Sequence, residues 1–181
     1  MTRPPLALLC GPAFSGKTTL AAALAARFGY TRIALDDINA RRGLDGGGGI
    51  PDAEWARTHA LARAEAEALL AHPSARVVVD DTFCYRFLRD AFRAVAANAG
   101  RDVRLIVLAT TEAEIRARVA AGARAIAPGA RAIAPAVLER NLATFEWPEA
   151  GAEPHRIYRA PGDLDGWAAD GWLPGVLVRG S

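Results

Sequence analysis

GPAFSGKT, residues 11–18, is the stretch of sequence that decides the fold of this chain. It matches G-x-x-x-x-G-K-[ST], the pattern of the phosphate-binding P-loop. The motif contains Lys17, the only lysine among 181 residues that include 21 arginines. A compact ammonium on a flexible stem can lie between the β- and γ-phosphates, whereas a planar guanidinium is bulkier. The motif therefore predicts that the chain binds a nucleoside triphosphate.

The residues on either side of the P-loop have the order of elements that such a motif requires. The apolar run Leu6–Cys10 predicts a buried parallel strand that ends at Gly11. The segment Lys17–Phe28 is rich in helix formers, and Gly29 supplies a stop signal. Loop amides and the helix dipole would bind phosphate oxygens. The predicted nucleotide-binding residues of this segment are Gly11, Ser15, Gly16, Lys17, Thr18 and Thr19.

Strands and helices are predicted to alternate along the rest of the chain. Apolar runs predict further strands at residues 30–35, 76–80, 103–108 and 157–158. Helical patterns and capping signals predict helices at residues 52–72, 87–99, 111–121, 136–145 and from 163 onward. This alternation is typical of an α/β fold, here a three-layer α/β/α sandwich with a mostly parallel five-stranded sheet.

The length of the chain predicts one domain over residues 1–181. Within it we expect a loop at residues 41–51, a short lid at about residues 118–135 and a C-terminal extension at about residues 160–181. The lid segment contains the heptapeptide GARAIAP twice, and its glycines and prolines favour a loop or a broken helix.

Acidic pairs follow two of the predicted strands. Asp80 and Asp81 end the run VVVDD, the pattern of a Walker B segment, and we expect Asp80 and the Thr18 hydroxyl to serve Mg²⁺. Asp36 and Asp37 follow the second strand, where a carboxylate can accept the proton of an acceptor hydroxyl. Because ligands of parallel sheets bind at the carboxyl ends of strands, both pairs should lie near the P-loop. Either pair could instead cap a helix.

Arginines after the fourth strand are candidates for a catalytic lid. Arg116 and Arg118 lie on the predicted helix, and Arg124 and Arg131 lie one in each copy of GARAIAP. In a phosphotransferase such arginines close over ATP and neutralise charge in the transition state. Solvated surface charges are the alternative for each of them.

Composition limits the remaining classes of function. A net charge of +2 and a pI near 8.8 do not indicate a basic track for nucleic acid. Cys10 and Cys84 lie in apolar surroundings and are expected to be buried free thiols. We expect a cytoplasmic protein, because no segment has the length of a membrane span or of a signal peptide core. His59, His72 and His155 lack metal-ligand spacing and are expected to be structural or on the surface.

The quoted segments resemble the small P-loop kinases related to zeta toxins, polynucleotide kinase domains and chloramphenicol phosphotransferase. The resemblance covers about residues 6–148. It rests on GPAFSGKT, on LDDINARR after the second strand, on VVVDDTF, and on the arginines before VLERNLATFEWPE. It implies a P-loop NTPase fold of the nucleoside- and nucleotide-kinase type and a general base at Asp36. Asn39 stands where these kinases often have a basic residue, which weakens the case for a phosphorylated or nucleic-acid acceptor.

The resemblance assigns a role to each candidate residue. The catalytic residues it implies are Lys17, Asp36, Arg124 and Arg131. It places Arg118 on the nucleotide. The acceptor-binding residues it implies are Asp37, Asn39, Arg41 and Asp81.

We therefore expect a kinase that uses ATP, or GTP, and Mg²⁺. It would transfer the γ-phosphate to a hydroxyl of a small molecule such as a nucleoside, a sugar or an antibiotic. One alternative is a 5′-hydroxyl polynucleotide kinase, and another is a nucleotide-binding regulatory module without transferase activity. The sequence predicts neither the acceptor nor the oligomeric state.

Overall fold

The computed structural model describes residues 3–44, 49–122 and 134–173. Five strands lie in these ranges: β1 (Leu6–Cys10), β2 (Thr31–Ala34), β3 (Val77–Asp80), β4 (Val103–Val107) and β5 (His155–Ile157). The helices of the same ranges are α1 (Lys17–Phe28), α2 (Leu35–Arg41), α3 (Asp52–Leu70), α4 (Arg86–Asn98), α5 (Glu112–Ala120), α6 (Pro135–Ala143) and α7 (Gly162–Ala169).

All of these strands pair in parallel in one sheet of order β2-β3-β1-β4-β5. A separate hydrophobic core covers each face of the sheet. Successive residues of β1 belong alternately to one core and to the other. Leu6 and Leu8 pack with residues of α3 and α4, and Ala7 and Leu9 pack with residues of α1 and α7. A strand buried on both faces reads as a continuous apolar run, as β1 does. The predicted three-layer α/β/α fold with a parallel five-stranded sheet is confirmed.

The register brings the carboxyl ends of the first three strands together. Asp80, the last residue of β3, pairs with Leu9 of β1 on one side and with Ala34 of β2 on the other. The P-loop follows β1 directly, and α2 follows β2 directly. These segments therefore start from one edge of the sheet, which is where ligands of parallel sheets bind.

Most of the predicted elements lie within two residues of their predicted ends, but α2 was not predicted. The apolar run predicts a strand that extends to Leu35, and no helix is predicted for the acids that follow it. Leu35, Ile38 and Asn39 are instead the buried positions of a seven-residue helix, with Asp36 and Asp37 in its first turn. The acidic Asp52 is typical of an N-cap residue for the helix predicted from residue 52, but this expectation is wrong, because Pro51 is the N-cap residue of α3.

Other predictions concern turns, the lid and the tail. The capping box that opens α5 is confirmed, with Thr111 and Glu114 bonded to each other's backbone. Trp167 of α7 packs edge-to-face on Trp172, with 5.0 Å between ring centroids, as expected for a packed terminal helix. Residues 45–48, 123–133 and 174–181 lie outside the described residues, so the predicted loop, lid and extension stay predictions there.

A buried ion pair joins α4 to the segment before β5. The Arg89 guanidinium donates to both carboxylate oxygens of Glu153, at 2.8 and 2.6 Å, and both side chains are almost completely buried. Arg93 adds a contact to Glu153 at 2.8 Å. Hydrogen bonds from Arg89 and Arg93 lower the pKa of Glu153 to about 2. Arg89 also donates to the carbonyls of Phe83 and Glu146, which fixes two loops at the carboxyl edge of the sheet.

Both cysteines are free thiols. Cys10 is buried in β1 and Cys84 is partly buried. Burial raises the pKa of Cys10 to about 12 and that of Cys84 to about 11, so neither thiol is a ready nucleophile. Among the helices of the described residues, none combines the length and apolar character needed to cross a membrane.

Candidate active site

The P-loop requires glycine at both glycine positions of its motif, Gly11 and Gly16. A Cβ atom at Gly11 would lie 2.8 Å from the Ser15 hydroxyl and 2.9 Å from the Leu108 carbonyl oxygen, which is too close for any side chain. Gly16 precedes α1 with φ of +103°, a conformation that other residues rarely adopt. Phe14 also has a positive φ of 64°, so the loop is tightly wound.

Some polar groups of the P-loop have no hydrogen-bond partner among the described residues, as expected of a phosphate cradle. No side chain of the described residues caps α1, so its first-turn amides are available to an anion. Within the same ranges the buried Ser15 hydroxyl has no hydrogen-bond partner. Thr18 and Thr19 are exposed on the first turn of the helix. A buried hydroxyl without a partner calls for a bound group, and a triphosphate fits this cradle.

Lys17 is buried at the start of α1. Its Nζ donates to the carbonyl of Pro12 at 2.8 Å, which holds the ammonium under the loop. Burial lowers the pKa of Lys17, and the carboxylates of Asp80, Asp81 and Asp36 oppose that shift. Both predicted acidic pairs therefore contribute a carboxylate near the lysine, as the strand register requires.

Asp80 is held by an arginine that the sequence analysis did not identify. Arg32 of β2 donates from Nε to Asp80 Oδ2 at 2.9 Å and pairs through Nη1 with Asp37 at 3.2 Å. Asp80 is buried, whereas Asp37 is exposed. Arg32 thus links the two acidic pairs across neighbouring strands. A charged residue inside a short strand was the only signal that could have indicated this role.

Asp81 has a histidine beside it. His59 of α3 is buried, and its Nε2 lies 3.8 Å from Asp81 Oδ2. The Nδ1 atom of His59 has no hydrogen-bond partner within the described ranges. Asp81 also accepts from the amide of Phe83, whose φ of 47° marks a tight turn. The structure thus places His59 in the core beside a candidate site residue, and no sequence spacing relates the two.

The three remaining candidates on α2 have different surroundings. Asp36 is exposed in the first turn of α2. Asn39 is fully buried, its Oδ1 accepts from the Thr58 hydroxyl, and its Nδ2 has no partner among the described residues. Arg41 pairs with Glu65 of α3. The placement of Asn39 and Arg41 favours roles in packing α2 on α3, and their contact with an acceptor stays a prediction.

The described part of the lid reaches the P-loop through one arginine. Arg118 of α5 donates from Nη1 to the Phe14 carbonyl at 2.8 Å. Arg116, two residues earlier in the same helix, pairs with Glu112 of α5 and with Glu139 of α6. Arg118 therefore lies against the predicted nucleotide site and Arg116 serves the contact between helices.

Arg124 and Arg131, the other predicted lid arginines, lie outside the described residues. Their catalytic roles stay predictions.

An open cleft of about 310 Å³ lies beside the P-loop, between the loop after β4 and the segment after α6. We call it the Trp147 cleft. Its lining residues are Pro12, Ala109, Thr110, Thr111, Glu112, Leu142, Phe145 and Trp147.

The donor set of the site suits Mg²⁺ bound with a nucleotide. Among the described residues no three His, Cys, Asp or Glu side chains come together as a metal cage. Mg²⁺ in phosphoryl-transfer sites uses one or two protein oxygens, with phosphate and water oxygens completing its shell. The Thr18 hydroxyl and the Asp80 carboxylate, at the ends of neighbouring segments, fit that pattern.

Comparison with known proteins agrees with this arrangement. An AAA domain family (AAA_33) matches residues 6–148, which span the P-loop, both acidic pairs and the lid. A candidate kinase from Chloroflexus aurantiacus superposes with a TM-score of 0.68 at 19% identity, over 97% of this chain and 100% of the other. The APS kinase CysC of Mycobacterium tuberculosis, in complex with AMPPNP and APS, superposes with a TM-score of 0.62 at 20% identity, over 94% and 98%. The chain therefore has the P-loop kinase fold that the sequence predicted.

One curated relative matches over a short stretch. A tRNA dimethylallyltransferase from Thiobacillus denitrificans is 46% identical over 50 residues, which are 28% of this chain and 16% of that protein. The chain thus matches about a sixth of the length of this relative. The match is local and carries no argument about the activity.

Proposed function

The chain belongs to the AAA domain family that matches residues 6–148, and on that premise we propose that it is a kinase. It transfers the γ-phosphate of ATP, or of GTP, to a hydroxyl of a small molecule. One observation carries the proposal: the buried Lys17 lies beneath an open phosphate cradle with carboxylates from two acidic pairs near it. A cradle alone would serve a binding protein, whereas acids beside it supply the groups of a transfer reaction.

The nucleotide would lie along the N-terminus of α1. Backbone amides of the P-loop and the Ser15 hydroxyl would bind the phosphates, and Arg118 would contact them from α5. The Lys17 ammonium would neutralise charge on the β- and γ-oxygens. Mg²⁺, held by Thr18 and through water by Asp80, would supply further neutralisation of the same oxygens. Arg124 and Arg131 are proposed to add positive charge in the transition state.

Asp36 is proposed as the general base. As the acceptor oxygen bonds to the γ-phosphorus, the bond from that phosphorus to the β,γ-bridging oxygen breaks and ADP leaves. The acceptor hydroxyl proton passes to the Asp36 carboxylate. The neighbouring Asp37 pairs with Arg32 at 3.2 Å. We assign Asp37 and Asp81 to positioning of the acceptor.

A labelled γ-phosphate transfer screen tests the proposal. The acceptors are nucleosides, sugars, antibiotics and a 5′-hydroxyl oligonucleotide, each with ATP and with GTP, and a reaction without acceptor measures hydrolysis. We expect Mg²⁺-dependent transfer to a small alcohol.

Two outcomes of the screen would contradict the proposal. Tight nucleotide binding without transfer to any acceptor would indicate a regulatory module. Transfer to the oligonucleotide alone, weakening steeply with salt, would indicate a polynucleotide kinase.

A further inference from the structure

Two of the residues that line the Trp147 cleft form hydrogen bonds with residues of the P-loop. The Pro12 carbonyl accepts from Lys17 Nζ at 2.8 Å, and the Thr110 hydroxyl donates to the Ser15 carbonyl at 3.2 Å. A molecule in the cleft would therefore lie next to the residues that are proposed to bind the phosphates. A volume of about 310 Å³ suits a compound of the size of a nucleoside.

One wall of the cleft is aromatic. Phe145 and Trp147 contact each other with ring centroids 4.5 Å apart and an interplanar angle of 41°, and Leu142 adjoins them. Trp147 is 44% exposed, which is unusual for so large an apolar side chain. Aromatic rings exposed in a cleft are a surface for stacking of a planar group.

The aromatic wall is held in place by hydrogen bonds to other segments. The Glu146 amide, between the two rings, donates to the Cys84 carbonyl at 2.8 Å, and the buried Arg89 donates to the Glu146 carbonyl at 3.0 Å. The Tyr85 and Thr144 hydroxyls lie 3.2 Å apart. A surface fixed before binding loses little conformational entropy when a ligand arrives, which is a property of binding sites.

The charge of the lining indicates what the cleft would accept. In the part of the chain that the structure describes, Glu112 is the only charged residue of the lining, and it pairs with Arg116. Phosphate and carboxylate groups are normally bound by arginine, lysine or helix amides. The hydroxyls of Thr110 and Thr111 already donate to Ser15 and Glu114, so their oxygens are left to accept from an N–H or O–H group of a neutral ligand. The lining therefore favours a ligand without negative charge.

We propose that the Trp147 cleft binds the ring end of the acceptor, while the reacting hydroxyl extends over the P-loop towards Asp36, Asp37 and Asp81. The acceptor is then an uncharged alcohol that carries a planar aromatic ring, of the nucleoside class. The ring stacks on the exposed Trp147, with Phe145 beside it. This inference rests on the proposed kinase function. It narrows that function, because sugars, sugar acids and phosphorylated acceptors are disfavoured.

A binding experiment tests the cleft without requiring catalysis. Calorimetry is done with AMPPNP and Mg²⁺ present, so that the nucleotide site is occupied, and the probes are thymidine, thymidine monophosphate and glucose. We expect thymidine to bind more tightly than both other probes. Trp147→Ala should weaken thymidine binding about tenfold, the loss of one stacking contact. The control is Leu61→Ala, which removes an apolar side chain of α3 that is 45% exposed and lies outside the lining.

Tighter binding of glucose or of the monophosphate, or equal effects of both substitutions, would overturn the inference. A kinetic arm separates the acceptor from the nucleotide: Trp147→Ala should raise KM for the nucleoside and leave KM for ATP unchanged. A rise in KM for ATP alone would mean that the cleft holds the base of ATP, and the inference would fail. Binding of thymidine that depends on Trp147, with no phosphate transfer to any alcohol, would contradict the kinase proposal and support the cleft as a ligand site.

Discussion

At the scale of single residues, each acid near Lys17 has its own surroundings. Asp80 is buried and bonded to Arg32, Asp81 lies beside His59, and Asp36 is exposed at the start of α2. An exposed carboxylate at the edge of the sheet can meet an acceptor from solvent. A buried carboxylate bonded to a guanidinium instead serves as a fixed charge. These differences are the reason for assigning proton transfer to Asp36 and metal binding to Asp80.

Asp36→Asn should lower kcat about 10²- to 10⁴-fold and leave KM for ATP nearly unchanged, because an amide cannot accept the hydroxyl proton. The matched variant is Asp37→Asn, which alters a neighbouring acid already paired with Arg32 and should have a smaller effect on kcat. Steady-state kinetics with the identified acceptor measure both. A larger loss of kcat in Asp37→Asn than in Asp36→Asn would indicate that Asp37 is the base.

The role of a site residue could be predicted where a local sequence pattern contains it. It could not be predicted where the role depends on a contact between residues far apart in the sequence. The P-loop residues follow from their spacing alone. Arg32, by contrast, reaches Asp80 across 48 residues of sequence, and His59 reaches Asp81 from helix α3. No spacing rule connects such pairs, because the fold alone brings them together.

At the scale of elements, α5 contacts the P-loop and leads into the segment that is predicted to form the lid. Arg118 and Arg116 lie on the same helix, yet Arg118 bonds to the Phe14 carbonyl and Arg116 bonds to acids of α5 and α6. Hydrogen bonds of Arg116 with Glu139 and Glu112 raise its pKa above an already high value, so it stays charged. Substituting each arginine in turn therefore distinguishes a role at the nucleotide from a role in the contact between helices.

Arg118→Ala should raise KM for ATP about tenfold, because a charged hydrogen bond at the nucleotide site is worth about 1.5–3 kcal/mol. Arg116→Ala should change KM for ATP less than twofold or so, since surface ion pairs contribute little. ATP titrations of initial rate measure both variants. A larger effect for Arg116 would contradict the placement of Arg118 on the nucleotide.

Helix α2 shows why some element boundaries were not predictable. Leu35 continues the apolar run of β2, so the run alone predicted a longer strand. Helix α2 has only seven residues, and one of its buried positions is the polar Asn39. By contrast α1 was predicted with its observed ends, because the P-loop and Gly29 flank it.

At the scale of the whole molecule, the parallel sheet was predictable and its internal ion pair was not. Apolar runs that alternate with helices determine an α/β sandwich. The pairing of Arg89 with Glu153 joins residues 64 positions apart and depends on how α4 packs beside the segment before β5. The pair also fixes the loop of Glu146 that carries the aromatic wall of the Trp147 cleft.

Glu153→Gln should lower the free energy of unfolding at pH 7 by about 3–5 kcal/mol, because Arg89 is left buried without a counter-charge. The native pKa of Glu153 is depressed from 4.5 to about 2. Its contribution is therefore complete above pH 4.5 and is lost as the pH falls towards 2. Urea unfolding at several pH values should show the difference from wild type narrowing below pH 4.5. The exposed Glu149→Gln is the control, and a pH-independent difference would contradict the assignment.

The most direct test of the central claim is the rate of γ-phosphate transfer by Lys17→Met. The variant keeps a long apolar stem at the start of α1 and removes the only ammonium side chain of the chain. With thermal unfolding like that of wild type, transfer should fall by about 10²- to 10³-fold or more, the cost of losing one group that stabilises the transition state. Transfer at a rate near that of wild type would contradict the account of Lys17 as the γ-phosphate lysine of a kinase.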